Sequence, residues 1–385
     1  MGSKMPIKVC HITSVHQRYD TRIFHKECTS LANAGYDVTL LVADGKKDEI
    51  RNGVKIVSAN CVPTSRYKRI LLSGHIMFKA ARQIDAEIYH LHDPELLPLG
   101  KKLKRCGKKV IFDSHENYPA QIACKPYLPK TLRWCVSKIY RHYETGALKK
   151  YDAVVAPCTF FGGTNIFEGR CKRTEIISNA PLLNEFYDKY DHALEKNGNA
   201  ICHVGGLAYE RGITHLIKAA YKAGVKLILA GKFSPEGYHE QLKKMPEYQC
   251  VDYRGFLTRE ELLDVYKEAS VGMTTILNIG QYNTGDNFAT KVYEYMSMGL
   301  PVILSKYKYA EDVLSELKFG LVVNPSDIEE IANAICFVKN NPNIASTMGV
   351  NGRKAIFSEY NWGIEEKKLL NLYECLFKSD KAQIH

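Results

Sequence analysis

The sequence lacks the marks of several protein classes. Its 12 cysteines are scattered singly from Cys10 to Cys375, and none forms a Cys-x-x-Cys pair. Most sit in apolar stretches such as Lys8-Val9-Cys10, so a disulfide frame or zinc knuckle is not expected, and reduced thiols in a cytoplasmic compartment are. No apolar run is long enough to span a bilayer, and no secretory leader is read at the start of the chain. Internal repeats, low-complexity segments and a Gly-x-Gly-x-x-Gly dinucleotide fingerprint are also missing. Acidic residues are scarce in the first half. Residues 1–180 hold 30 Lys+Arg against 16 Asp+Glu, and the remainder holds 23 against 26, for a net charge of +11. A basic half suits an anionic partner, such as phospholipid head groups, a lipid phosphate or nucleic acid, or it is simply a solvated face. The basic segments lack the interleaved motifs of nucleic-acid modules, so no nucleic acid is expected.

What is present is enough apolar material for two cores: 385 residues, 45% of them hydrophobic, which favours two domains. Short β-branched runs alternate with longer helical patterns. Strands are expected at Lys8–Ile12, Val38–Val42, Glu87–Leu91, Lys109–Asp113 and Ala153–Ala156. Helices are expected near Thr21–Ala34, Lys68–Ile84, Pro94–Cys106 and Pro129–Lys149. Residues 184–199 are polar and aperiodic and read as a linker. The alternation then restarts, with strands at Ala200–Val204, Val225–Ala230, Val251–Arg254, Val271–Thr275, Pro301–Leu304 and Leu321–Val323, and a helix over Arg211–Ala223. A last helical stretch over Gly363–Phe377 has no strand after it. The fold class is therefore α/β, with parallel sheets covered on both faces. Domains are placed at residues 1–183, 184–199 (linker), 200–360 and 361–385. In such sheets, ligands bind beyond the carboxyl ends of the strands.

The most informative stretch runs from Gly285 to Ile303. A glycine-containing loop feeds a short helix that Gly299 and Pro301 end. Lys291 and Glu294 stand three apart and share a helix face. Free N–H groups at a helix start, with Lys291 beside them, suit a diphosphate, and Glu294 suits a vicinal diol such as ribose. An ordinary solvent-facing Lys/Glu pair is the alternative.

Asp286-x7-Glu294 followed by Met296-Ser297-Met298-Gly299-Leu300-Pro301-Val302 resembles the signature of the family 4 (group 1) retaining glycosyltransferases of the GT-B fold, the type found in bacterial polysaccharide biosynthesis. His203-Val204-Gly205-Gly206-Leu207 with Arg211-Gly212 and Leu216-Ile217-Lys218-Ala219 is similar to the family's phosphate-binding turn. The resemblance implies two Rossmann-like lobes facing a central cleft, the second binding the nucleotide sugar, and a C-terminal helix crossing back to the first. It also implies that Glu294 holds the donor ribose and that Asp286, Asn287 and Phe288 meet the sugar. Gly206 stands where the family has an arginine and Arg211 where it has a lysine. Arg211 with Lys291 is therefore assigned to the leaving diphosphate. Gly205, Gly206, Gly231 and Phe256 line the donor site, with Phe256 near the base. His115, after the fourth long strand, is matched to a histidine facing the donor sugar. Asp20, Arg22 and His92 are placed on the acceptor side, where a Gly-Gly loop of the family is absent.

The expected function is retaining transfer of a hexosyl group from a nucleotide-diphosphate sugar to a glycan or lipid-linked acceptor in cell-surface glycan synthesis, with no cofactor and no metal. Alternatives from other classes are a metal-dependent hydrolase using His90, His92 and His115 and a nucleotide-sugar epimerase. Lys125–Arg141 and Arg66–Leu72 mix basic with aromatic and apolar residues, so peripheral attachment to an anionic inner membrane face is expected.

Overall fold

The computed structural model describes residues 5–59, 66–123, 129–160, 163–190, 199–279 and 282–381. Two compact units result, one of residues 1–179 with 363–385, the other of residues 180–362. The first is built on β1 (Lys8–Ile12), β2 (Asp37–Val42), β3 (Glu49–Arg51), β4 (Val54–Ser58), β5 (Ile88–Leu91), β6 (Lys109–Asp113), β7 (Ala153–Ala156) and β8 (Thr174–Ile176). Their order is β3-β4-β2-β1-β5-β6-β7-β8. All pairs are parallel except β3 with β4, an antiparallel hairpin that the alternation of long strands and helices does not foretell. β3 is short and largely exposed, so it carries no apolar run.

The second unit carries β9 (Ala200–Val204), β10 (Lys226–Ala230), β11 (Val251–Tyr253), β12 (Val271–Thr274), β13 (Val302–Ser305) and β14 (Gly320–Val323). Here every pair is parallel and the order is β11-β10-β9-β12-β13-β14. Counted from β9, this is the doubly wound Rossmann order, with its switch point between β9 and β12. In the first unit, the switch point lies between β1 and β5.

These strands form because both faces are covered. Ile201, Leu227, Leu229, Met273 and Ile303 point to one face, against Leu216 and Ile335 of the helices Ile213–Lys222 and Ile328–Asn340. Cys202, Val204, Ile228, Val302 and Leu304 point to the other, against Tyr266, Tyr295 and Met296. A two-residue period places neighbours on opposite sides, and each side has a core of its own.

The helix expected over Thr21–Ala34 is not uniform. Thr21–Cys28 is π-helical, and only Thr29–Asn33 is α-helical. A π turn stacks residues five apart instead of four. That brings Arg22 Nε within 3.0 Å of Glu27 Oε1, a pairing an α-helix would rotate apart. Asp20 starts the helix, accepting from the amides of Arg22 at 2.8 Å and Ile23 at 2.9 Å. Of the expected linker, residues 184–190 pack within the second unit, Phe186 being buried; residues 191–198 lie outside the described residues. The last helix runs Trp362–Lys381. Among the described residues, no helix is long and apolar enough to cross a membrane.

Two substitutions test this account. Ile228, fully buried at the centre of β10, leaves a cavity when cut to alanine and costs about 3 kcal/mol. Thr258 caps the helix Arg259–Glu268 in a reciprocal box with Glu261, and Thr258→Ala costs about 1 kcal/mol. Urea melts should rank the two in that order; equal losses would mean the core around β10 is loosely packed.

Candidate active site

Both switch points carry polar constellations. In the second unit, β9 ends in Gly205-Gly206 and β10 in Gly231. Gly231 has φ 150°, and a Cβ there would lie 1.8 Å from the Gly205 carbonyl oxygen. Only glycine lets the two strand ends touch. A Cβ on Gly205 would approach Lys291 Nζ to 3.1 Å, so the turn leaves room for that ammonium. Gly206 has open space around it and is exposed.

Lys291 and Glu294 belong to the helix Thr290–Ser297, whose N-terminal residue Ala289 offers no side-chain cap. Lys291 Nζ lies 3.0 Å from His203 Nε2, which accepts from it. Burial and the charge of Arg211 lower the Lys291 ammonium to about 7, with Glu294 partly offsetting them. Burial, Lys291 and Arg211 also hold His203 well below its ordinary value, so it stays neutral. Glu294 is almost wholly buried. It accepts from Tyr266 Oη at 2.6 Å and from Arg259 Nη1 at 3.1 Å, and Arg259 is braced in turn by Glu185 at 2.5 Å. Its two oxygens are thus aimed by a tyrosine and an arginine and retain lone pairs for another donor. Arg211 sits just before Gly212 and stacks over Tyr282 at 4.6 Å. Asn287 accepts from Tyr307 Oη at 2.8 Å, and Phe288 packs among Tyr293, Tyr309 and Phe319. Asp286 is partly exposed. Phe256 is 71% exposed, with Lys232 over its ring at 4.9 Å.

The first unit gathers more than its motifs announce. Asp113, ending β6, holds Arg22 through Nε at 2.8 Å and Nη2 at 3.2 Å. Arg22 also donates to the Ile177 carbonyl and to Asn179, both at 2.8 Å. Its charge is therefore committed inside the unit instead of facing open space. Burial alone would push Asp113 up, but Arg22, His115 and His92 keep it well below the usual carboxylate range. His115 Nε2 lies 3.3 Å from His92 Nδ1 and 3.4 Å from Asp113. Burial lowers it to about 4 against the pull of Asp113, so it is a neutral imidazole at pH 7. His92 is fully buried, with a nitrogen 2.9 Å from His11 Nδ1. Asp20 bonds His16 at 3.3 Å, and Asp93 takes Thr13 at 2.8 Å and the Ser14 amide at 2.6 Å. His16, Thr13 and Ser14 carry no motif; the signal that locates them is their place just past β1.

The family described as Glycosyl transferases group 1 matches residues 187–355, and Glycosyltransferase Family 4 matches residues 21–179. The chain belongs to the family 4, group 1 glycosyltransferases. Its fold is GT-B. It is similar to an uncharacterized glycosyltransferase of Methanocaldococcus jannaschii, at 26% identity over 45% of this chain and 44% of that one. It is also similar to CapM, a capsular polysaccharide biosynthesis glycosyltransferase of Staphylococcus aureus, at 24% identity over 52% of each. The matches thus span about half the length of these relatives. Among solved structures, sucrose-phosphate synthase from Thermosynechococcus elongatus superposes with TM-score 0.78 at 18% identity, covering 97% of this chain and 100% of that one. Anabaena HepE in complex with UDP and glucose gives 0.69 at 13% identity, covering 96% and 100%.

The lowered Lys291 value has a measurable consequence. A diphosphate bound beside Lys291 would raise it again, so above pH 7 nucleotide binding would take up a proton and affinity would fall as pH rises towards 9. Titration calorimetry with the nucleoside diphosphate in buffers of different ionisation enthalpy should show this uptake, and Lys291→Met should abolish it. Binding that ignores pH in the parent protein would remove Lys291 from the phosphate site.

Proposed function

We propose that the chain moves a sugar from a nucleotide-diphosphate donor to a glycan or lipid-linked acceptor, with retention at the anomeric carbon and without a metal ion in the reaction. The observation that carries this reading is the pairing of Lys291, crowded against the Gly205 turn, with Glu294 one turn along the same helix. A diphosphate at that turn would meet Lys291, Arg211 and the open start of the helix Thr290–Ser297. These are charges in place before the bond breaks, so they favour the state in which negative charge builds on the β-phosphate. Glu294, already oriented by Tyr266 and Arg259, would accept from the ribose hydroxyls. Asp286, with the backbone of Asn287 and Phe288, would contact the sugar, Phe256 the base, and His115 would act at the transferred sugar. Front-face substitution, with the leaving phosphate helping to deprotonate the acceptor, gives retention. The CapM likeness supports a role in surface-polysaccharide synthesis, and UDP and glucose in a fold relative support a nucleotide-sugar donor. The hydrolase alternative leaves Arg211, Lys291 and Glu294 without a shared task; product analysis in the absence of any acceptor separates transfer from epimerisation.

The helix Lys130–Leu148 supports attachment to an anionic membrane. Leu132, Trp134 and Ile139 are 47%, 60% and 69% exposed. Lys138 lies over the Trp134 ring at 3.6 Å, and Arg141 is exposed beside them. Apolar tips with cations around them suit a charged lipid surface. Of the expected surface, Lys125–Leu128 lie outside the described residues, as do the side chains of Lys130, Thr131 and Arg66–Leu72.

Four measurements test the proposal. A thermal-shift screen with UDP, GDP and ADP should give one clear stabiliser, because binding to the native state raises its stability. Lys291→Ala should lower kcat about a hundredfold, whereas Glu294→Gln should chiefly raise the donor KM about tenfold; the reverse pattern would exchange the two roles. A product of inverted configuration would refute retention. Liposome pelleting should require anionic lipid, fade with salt and drop when Trp134 and Ile139 become serine; equal pelleting on neutral vesicles would argue against the membrane role.

A further inference from the structure

Deep in the first unit, three histidines and a glutamate converge where no solvent reaches. His11 on β1 stands in register with His90 on β5, and His92 follows two residues later on the same side of that strand. Glu27 comes from the π-helical segment. All four are fully buried, and each offers a ligand atom within 4.8 Å of the others. We propose that these residues hold a resident divalent transition-metal ion, zinc by the chemistry of the donors, through His11 Nδ1, His92 Nε2, Glu27 Oε2 and His90.

Geometry comes first. His11 Nδ1, His92 Nε2 and Glu27 Oε2 form a triangle with sides of 2.9, 3.7 and 3.9 Å. The point equidistant from its corners lies about 2.1 Å from each, the bonding distance of zinc to imidazole nitrogen and carboxylate oxygen. Hydrogen-bonded nitrogens alone do not require the carboxylate oxygen to close such a triangle.

The surroundings point the same way. A metal-bound histidine donates its other N–H outward. His11 Nε2 lies 3.1 Å from Tyr373 Oη, and His90 Nδ1 lies 2.8 Å from the same oxygen. A phenol oxygen can accept both. His92 Nδ1 faces Asp113 Oδ2 at 3.4 Å. If these outward nitrogens carry the protons, the inward ones are lone pairs. His11 Nδ1 and His92 Nε2 would then repel across 2.9 Å unless a cation lay between them. His90 Nε2 and Glu27 Oε2 have no hydrogen-bond partner, and buried polar atoms of that kind are costly. Glu27 Oε1 lies 3.0 Å from Arg22 Nε, so the carboxylate would bridge an arginine and the ion.

Four protein ligands close a tetrahedron with no position left for substrate, which makes this a structural ion. It would tie β1, β5 and the π-helical segment together beneath the strand ends. The set excludes His115 and so differs from the hydrolase alternative. It also departs from the metal-free expectation drawn from the sequence, while leaving the proposed transfer chemistry untouched.

The experiment uses the full chain, free of any affinity tag and purified without chelator. Mass-spectrometric metal analysis should find about one zinc per chain. Chelator should lower Tm, and zinc should restore it. Metal-free protein exposed to Co(II) should develop the visible bands of a tetrahedral site. His90→Gln should cut the metal content about tenfold, and if that variant does not fold, the cobalt spectrum and chelator response of the parent protein decide alone. Less than about a tenth of an equivalent of metal, no cobalt bands and a Tm indifferent to chelator would overturn the proposal and leave a hydrogen-bonded relay of imidazoles ending at Tyr373. A full equivalent retained by His90→Gln would overturn the ligand assignment.

Discussion

A parallel strand covered on both faces has room for polar side chains only where it ends, and that constraint organises both units. Glycines follow β9 and β10, so the chain can turn within touching distance of its neighbour and leave room for the Lys291 ammonium. β6 finishes in Asp113, which collects Arg22 from one side and histidines from the other. β1, β5 and β9 depart from the pattern, since His11, His90 and His203 lie within the strands themselves. Polar residues at such positions need partners, and the partners come from elements distant in the chain.

The π-helical segment shows how local geometry serves a remote need. Widening the helix costs hydrogen-bond quality, yet it aligns Arg22 and Glu27 on one side, facing Asp113 and the histidines. Asp20 fixes where that segment starts, and His16 fixes Asp20. A buried arginine flanked by two carboxylates is stable only as a set. Removing Arg22 would leave the buried Asp113 carboxylate without its cation.

Much of the architecture was legible in the sequence because doubly covered strands read as unbroken apolar runs. β1, β6, β7 and β9 have the ends that their apolar runs indicate. β3 and β8 were not legible: each is three residues long and neither is fully buried. The helices Glu236–Lys243, Arg259–Glu268 and Pro342–Ser358 were likewise unread. In the site, Lys291 and Glu294 stood out because they are three apart on one helix. Their partners did not: His203 is 88 residues from Lys291 and Tyr266 is 28 from Glu294. Separation of that order leaves no periodic trace; only the sheet order brings such residues together. The same holds for Tyr373, which meets His11 across 362 positions.

That last contact has a bearing on synthesis. The first unit contains residues 1–179 and closes only with residues 363–385, so the second unit is an insertion within it. A ribosome delivers the chain in order, and domains fold as they emerge. The second unit has all its strands by residue 323 and can settle early. The first must wait, its eight strands made but the phenol of Tyr373 still to come. Until then, two imidazoles in its interior lack the group that aligns them. Released chains ending at residue 362 should carry a finished second unit and a first one open to proteases and chaperones.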